Sequence, residues 1–86
     1  MINLFCRICG YEHSEPQWGE DNQSPIYDIC PCCGVESGNE DYTIESIKQY
    51  RKSWIENGSK WHNPRLKPNN WSLEAQMENI PSPFWS

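Results

Sequence analysis

The chain has 86 residues, enough for one folded domain, and its formal net charge at pH 7 is −5. Leucine, isoleucine, valine and phenylalanine together supply only 14 residues, which excludes a large aliphatic core, and no apolar stretch approaches the length of a membrane span. Eleven aromatic residues, five of them tryptophan, supply part of the missing apolar area. A chain this small with so thin a core usually needs a metal ion or another cross-link to fold.

The first 42 residues predict short β-strands around two turns. Residues 2–5 form a short apolar run, and residues 11–13 read as the return strand of a hairpin. A polar loop at residues 14–25 follows, with Trp18 in its middle. Residues 25–29 alternate apolar and polar side chains, which predicts a strand that leads into the second turn.

The second half predicts two helices. Thr43 is a suitable N-cap, Asn57 and Gly58 form a stop signal, and the spacing between them predicts a helix over residues 44–56. Its predicted apolar face is formed by Ile44, Ile47, Tyr50 and Trp54. A linker over residues 61–70, which two prolines interrupt, leads to a shorter helix that begins near Ser72 and ends before Pro81. The apolar face of that helix would consist of Leu73, Met77 and Ile80.

Two C-x2-C motifs, twenty residues apart, are the strongest signal in the chain. Two residues between cysteines let a tight turn direct both sulfurs at one ion, and the glycine after each motif allows a backbone conformation that other residues resist. We therefore predict a closed metal site, which we expect the N-terminal half to need in order to fold. Its four ligands are Cys6, Cys9, Cys30 and Cys33.

The sequences around these turns, CRICGY at residues 6–11 and CPCCGV at residues 30–35, resemble the metal-binding turns of rubredoxins and zinc ribbons. Most of the chain also resembles the small bacterial cysteine-rich proteins named for their CPCC motif, in which a helix and a tryptophan-bearing tail follow the turns. The resemblance implies a small α+β fold: a rubredoxin-like zinc ribbon with short β hairpins, followed by an amphipathic helix and a short C-terminal helix. We expect a single domain over residues 1–86, with the metal-binding ribbon at 1–42 and a helical extension at 43–86 packed on it.

The metal that we expect is one structural zinc ion. The gap between the turns is short for a rubredoxin, and half of the chain lies beyond the second turn, so zinc is favoured over iron.

The remaining cysteine and the two histidines do not form a recognisable catalytic set. Cys32 is interpreted as a small side chain within the second turn, rather than as a ligand in place of Cys33 or as a nucleophile. His13 could replace a cysteine as a ligand, but four sulfurs leave no vacancy, and His62 reads as a surface residue. A closed four-ligand site offers no position for water or substrate. We therefore predict a protein that is not an enzyme and has no small-molecule substrate.

Charge is distributed unevenly along the chain. Residues 1–45 carry a formal charge of −8, and residues 46–86 carry +3. The acidic half would repel phosphate, which argues against nucleic-acid binding there. The five cysteines, together with the lack of an export signal, lead us to expect a cytoplasmic protein.

The leading functional hypothesis is a non-catalytic protein-binding module, of the immunity or antitoxin type, whose acidic surface covers a basic toxin. The predicted contact residues are Glu36, Glu40 and Asp41. One alternative is a rubredoxin-like iron electron carrier. The other is a nucleic-acid-associated ribbon that uses the basic second half, around Lys48, Arg51, Lys52, Lys60, Arg65 and Lys67. An aromatic tail at residues 83–85 is expected to pack on the core, with partner binding as the alternative.

Overall fold

Two α-helices and an irregular N-terminal half make up the architecture. The computed structural model describes residues 3–81 and residue 84. The helices are α1 (Ile44–Glu56) and α2 (Leu73–Met77), and a short 3-10 helix (Pro64–Leu66) lies between them. Within the described residues, no helix is long and apolar enough to cross a membrane.

Helix α1 has the predicted bounds, and its caps explain them. The Thr43 side chain accepts a hydrogen bond from the Ser46 amide, and the helix ends at Asn57, before Gly58 in a left-handed conformation. Ile47 and Trp54 are buried as predicted. The predicted face differs at two positions: Ile44 is exposed, and Arg51 is buried in the same face.

Helix α2 begins after Ser72, whose side chain accepts a hydrogen bond from the Ala75 amide. It ends at Met77, earlier than predicted, and turns continue to the buried Ile80. The linker before it runs exposed over residues 62–70, whereas Trp61 is buried. Both predicted helices are therefore confirmed, the second with a shorter extent.

The predicted ribbon with short β hairpins is wrong. The described residues contain two isolated antiparallel bridges, Phe5 with Glu12 and Ile29 with Glu36, and no strand or sheet. The predicted strand at residues 25–29 fails because Tyr27 has a φ of 58°, a left-handed conformation that interrupts an extended chain. One antiparallel bridge flanks each turn, and beyond that bridge the chain continues as an irregular loop.

The core lies between the two turns and α1. All five cysteines belong to it, and the other buried members are Ile8, Val35, Ile47, Trp54 and Trp61. Phe84 is half-buried and packs against this cluster, whereas Pro83 and Trp85, the rest of the predicted aromatic tail, lie outside the described residues. With so few aliphatic side chains in the core, a link between the cysteines would carry much of the stability.

Candidate metal centre

The two cysteine turns share one backbone design. In the first, the Cys6 amide donates to the Tyr11 carbonyl and the Gly10 amide donates to the Cys6 carbonyl. The second repeats this pattern 24 positions later: Cys30 donates to Val35, and Gly34 donates to Cys30. The two antiparallel bridges lie at equivalent positions, one on each side of its turn. Each turn therefore repeats the other and presents its two cysteines in the same way.

The glycine that follows each motif is required by this design. Gly10 and Gly34 have φ values of 82° and 79°, in the left-handed region that glycine adopts without steric cost. This conformation lets each amide turn back to the carbonyl of the first cysteine in its motif. The C-x2-C-G pattern therefore accounts for the backbone conformation of each turn.

The four predicted ligands meet at one point. All four sulfurs lie within 4.8 Å of one another and are buried, with 3.7 Å between Cys6 and Cys33 and 3.7 Å between Cys9 and Cys30. None of the chain's cysteines forms a disulfide. A cluster with this spacing could hold a metal ion, with one sulfur from each cysteine.

The electrostatics of the cluster favour a cation. Burial raises the pKa of Cys9 and of Cys33, whereas hydrogen bonds from Cys33 and the other sulfurs lower the pKa of Cys30. Burial also acts to raise the pKa of Cys6, but its neighbours bring it down to about 7. The four buried thiols thus cannot all lose their protons unless a positive ion takes the place of those protons. The donor set therefore fits a metal that binds thiolates.

The helical half holds both turns by their backbone carbonyls. From α1, the buried Arg51 guanidinium donates to the carbonyls of Ile8 at 2.6 Å and Arg7 at 2.8 Å, and also to that of Phe84. The Tyr50 hydroxyl donates to the Cys33 carbonyl at 2.9 Å. These contacts fix the loops that carry the sulfurs, so the position of the cluster depends on the packing of α1.

Helix α2 provides a second set of hydrogen bonds to the turns. The Gln76 side-chain amide donates to the Cys9 carbonyl at 3.1 Å and to the Cys32 sulfur at 3.2 Å, and its oxygen accepts from Trp71. Gln76 therefore touches both turns at once.

Cys32 is not part of the four-sulfur cluster. It is fully buried and occupies the position in the second turn that Ile8 occupies in the first, which is also fully buried. Its sulfur accepts the hydrogen bond from Gln76. This placement agrees with the interpretation of Cys32 as a small side chain within the turn.

His13 lies beside the cluster, a position that its sequence context did not suggest. Burial acts to lower the pKa of its imidazole, but the sulfurs of Cys30 and Cys6 outweigh burial and raise it to about 9. These three side chains share the wall of a cavity of about 320 Å³ with Ser37. The sequence feature that could have predicted this position is the repeat of the two turns. In that repeat His13 is equivalent to Ser37, which follows the second turn.

His62 is exposed, as predicted, beside the second turn. Its amide donates to the Cys32 carbonyl at 2.9 Å.

Of the three predicted partner contacts, Asp41 is misplaced. It is only 2% exposed, and its two carboxylate oxygens accept hydrogen bonds from the Trp18 indole at 2.8 Å and from the Gly38 amide at 2.7 Å. Glu40 is exposed, and Glu36 is half-exposed. The role of Asp41 is to join the loop at Trp18 to the segment that follows the second turn, so only the two glutamates are free to contact a partner.

Replacing Asp41 with asparagine tests this role. An amide offers one acceptor oxygen instead of two, so either Trp18 or Gly38 loses its partner in a buried position, at a cost of about 1–3 kcal/mol in the free energy of unfolding. Urea denaturation of the metal-loaded protein measures the change. The exposed Asp28, changed in the same way, serves as the control. Equal stability of the two variants would contradict a structural role for Asp41.

One of the basic residues predicted to contact nucleic acid in the second half is buried. Arg51 is buried against the first turn, so it cannot contact phosphate. The other five residues of the predicted basic set are exposed, namely Lys48, Lys52, Lys60, Arg65 and Lys67. The nucleic-acid alternative therefore keeps a weaker footprint than the sequence indicated.

Comparison with known proteins gives relatives from one bacterium. No family model and no solved structure matches the chain. It is 39% identical over 85 aligned positions to the uncharacterized protein YozI of Bacillus subtilis (strain 168), covering 79% of this chain and 70% of YozI. It is 38% identical over 69 positions to the uncharacterized protein YoaQ of the same organism, covering 62% of this chain and 58% of YoaQ. The CPCC-motif resemblance stays a prediction. At this identity and coverage, the chain belongs to the family of the Bacillus subtilis protein YozI.

Proposed function

We propose that this protein is a non-catalytic binding module, folded around one structural zinc ion, that covers a basic protein partner in the manner of an immunity protein or antitoxin. The observation that carries the proposal is an exposed apolar segment with an acidic border, attached directly to a closed cysteine cluster. The cluster supplies rigidity, and the segment supplies a contact surface.

The donor set fits the zinc ion that we propose. Four sulfurs at about 2.3 Å from a central zinc ion, in tetrahedral geometry, lie about 3.8 Å apart. The two distances of 3.7 Å between sulfurs agree with this spacing. Because all four positions would be filled by buried cysteines, the ion would stabilise the fold and leave no open position for water or substrate.

The proposed contact surface consists of Ile26, Tyr27 and Ile29 with Asp28 and Glu36 at its border. The three apolar side chains are 42%, 63% and 47% exposed, although large apolar side chains are normally buried. They lie next to one another in the chain immediately before Cys30. Ile29 pairs with Glu36 across the second turn, which places an acidic side chain beside the apolar ones.

The backbone of this surface is held in place. The Asp28 amide donates to the Ser37 hydroxyl at 3.1 Å, the Ser37 amide donates to the Asp28 carbonyl at 3.0 Å, and the Ile26 amide donates to the Gln17 carbonyl at 3.0 Å. Tyr27 has a left-handed conformation, which costs energy for a residue with a side chain. A strained residue that presents an exposed aromatic ring is a frequent feature of binding sites.

Charge indicates the kind of partner. The first 45 residues carry a formal charge of −8, and four thiolates around a zinc ion would add two further negative charges relative to neutral cysteines. An acidic surface of this kind steers a basic protein and repels nucleic acid. An apolar centre with a charged border is the composition of many protein–protein interfaces.

The test is a charge reversal with a matched control. The double variant E36K/E40K reverses the charge of two predicted contact residues, Glu36 at the border of the proposed surface and the exposed Glu40. E74K/E78K makes the same change in net charge around α2, where both glutamates are exposed. The immobilised, zinc-loaded chains are exposed to a lysate of the organism that encodes this chain, and retained proteins are eluted with a salt gradient and identified. We expect one basic protein that E74K/E78K retains and that E36K/E40K binds at least about tenfold more weakly.

The retained protein is then purified and its dissociation constant and toxicity are measured with and without this chain. Neutralisation of a toxic activity supports the immunity assignment. Equal binding by both variants would reject the acidic surface, and the absence of any basic partner would reject the binding module.

A further inference from the structure

The buried imidazole of His13 has an unmet hydrogen-bonding need. The residue is 8% exposed, and its Nε2 atom has no partner at hydrogen-bonding distance and angle. A buried polar nitrogen without a partner destabilises the folded state. The ring also makes an edge-to-face contact with Tyr11, with 5.0 Å between the ring centroids. The fold therefore maintains a costly arrangement at this position.

The repeat of the two turns shows that this arrangement is specific to His13. Its backbone donates to the Leu4 carbonyl, as that of Ser37, its counterpart in the second turn, donates to the Asp28 carbonyl. The Ser37 hydroxyl finds partners locally, in the amide and carbonyl of Asp28. The His13 Nε2 atom has no such local partner, and the His13 side chain lines one cavity together with Cys30 and Cys6.

The Cys6 and Cys30 sulfurs differ in the backbone hydrogen bonds that they accept. The Ile8 amide donates to the Cys6 sulfur at 3.4 Å, and the described part of the second turn has no equivalent bond to the Cys30 sulfur. Thiolates that bind a metal are commonly stabilised by N–H groups around them, and such outer partners set the affinity of the site.

We infer that His13 is the outer partner of the metal centre, donating its Nε2–H to the Cys30 or Cys6 thiolate when the four cysteines hold their ion. The donated hydrogen bond satisfies the buried nitrogen and spreads the negative charge of the thiolates. His13 is thus a positioning residue, since it acts on the metal through a ligand. The inference rests on the proposed binding of zinc by the four cysteines.

Three variants separate the donor from the ring. His13→Phe keeps the aromatic contact with Tyr11 but has no N–H. His13→Gln retains an N–H at about the reach of Nε2, and His62→Phe changes the exposed histidine as a control. Zinc affinity is measured by competition with a coloured chelator, and the sulfur-to-cobalt charge-transfer bands are recorded on the cobalt-loaded chains.

We expect His13→Phe to bind zinc about 10–100-fold more weakly and to shift the charge-transfer bands, because the thiolate loses its donor. His13→Gln should recover part of the affinity, and His62→Phe should match the unmodified chain. Zinc affinity of His13→Phe within about twofold of the unmodified chain, with unchanged bands, would overturn the inference.

A measurement on the unmodified chain decides the matter if His13→Phe does not fold. In the protein loaded with ¹¹³Cd, nuclear magnetic resonance should show a protonated His13 Nε2 whose proton is coupled to the metal through the sulfur. An unprotonated Nε2 would reject the assignment. If the unmodified chain takes up neither zinc nor cadmium, the metal site itself fails. If it takes up metal but His13 shows no effect, only this inference fails.

Discussion

Replacing Cys33 with alanine is expected to abolish metal binding and to unfold most of the chain, whereas the same replacement at the adjacent Cys32 leaves one zinc ion bound. Of these two residues, Cys33 contributes a sulfur to the four-sulfur cluster and Cys32 does not. Binding of zinc at such a site is worth about 10–16 kcal/mol, which exceeds or equals the total stability of a typical domain. With half of its core cluster made of cysteines, this chain has little else to replace that contribution.

Cys32→Ala removes a buried sulfur and its hydrogen bond from Gln76, so a loss of about 1–3 kcal/mol is expected, with the fold retained. Metal content, visible absorption and circular dichroism of both variants, purified without chelator, provide the measurement. A folded, metal-free Cys33→Ala variant would contradict a structural ion. An unmodified chain that is red, contains iron and is bleached by a reductant would replace zinc with an electron-transfer role.

The local features of this fold could be predicted from sequence because their causes lie within a few residues. The spacing of the cysteines and the glycine after each motif determine the turns, and Thr43 and Gly58 delimit α1. The sulfur cluster then follows, since two identical turns of this shape direct their cysteines to a common point.

The missing sheet could not be predicted from the same kind of pattern. Alternation at residues 25–29 is typical of a strand, but the extended conformation is lost at Tyr27. Its ring lies against the segment at Gly38, where an added Cβ would stand 2.7 Å from the ring. That contact is tertiary, and no periodicity encodes it. When a metal cluster can join the turns, a β-ladder is not needed for the same purpose.

Two buried charged residues were also misjudged, because aspartate and arginine are rarely buried without partners. For Arg51 a signal existed: it lies four residues after Ile47 and three before Trp54, and so belongs to the apolar face of α1. For Asp41 the partners are the Trp18 indole and the Gly38 amide, and the loop that brings Trp18 there has no sequence signature.

The helical half is coupled to the two cysteine turns through backbone carbonyls and the Cys32 sulfur, rather than through the four clustered sulfurs. Arg51 holds the first turn, Tyr50 the second, and Gln76 touches both. Loss of the ion should therefore release α1 and α2 from their anchors as well as the turns. The apolar segment at Ile26, Tyr27 and Ile29 leads directly into Cys30, so the proposed contact surface would be lost in the same event.

The closeness of α2 to the first turn leads to a second large effect, expected for Gly10→Ala. Gly10 and Gly34 have nearly the same left-handed φ, so alanine at either position incurs a conformational cost of about 1–2 kcal/mol. Their surroundings differ. A Cβ at Gly10 would stand 2.2 Å from the Gln76 carbonyl oxygen, whereas one at Gly34 would meet the His62 ring at 3.4 Å.

Gly10→Ala must therefore displace the backbone of α2, and with it the Gln76 bonds to Cys9 and Cys32. We expect its free energy of unfolding in the zinc-loaded form to fall by at least about twice as much as that of Gly34→Ala, whose cost is the conformational term of about 1–2 kcal/mol alone. Chelator-controlled denaturation compares the two. Because the matched glycines share the backbone strain, the difference between them isolates the contact with α2. Equal losses in the two variants would show that α2 does not pack on the first turn as described.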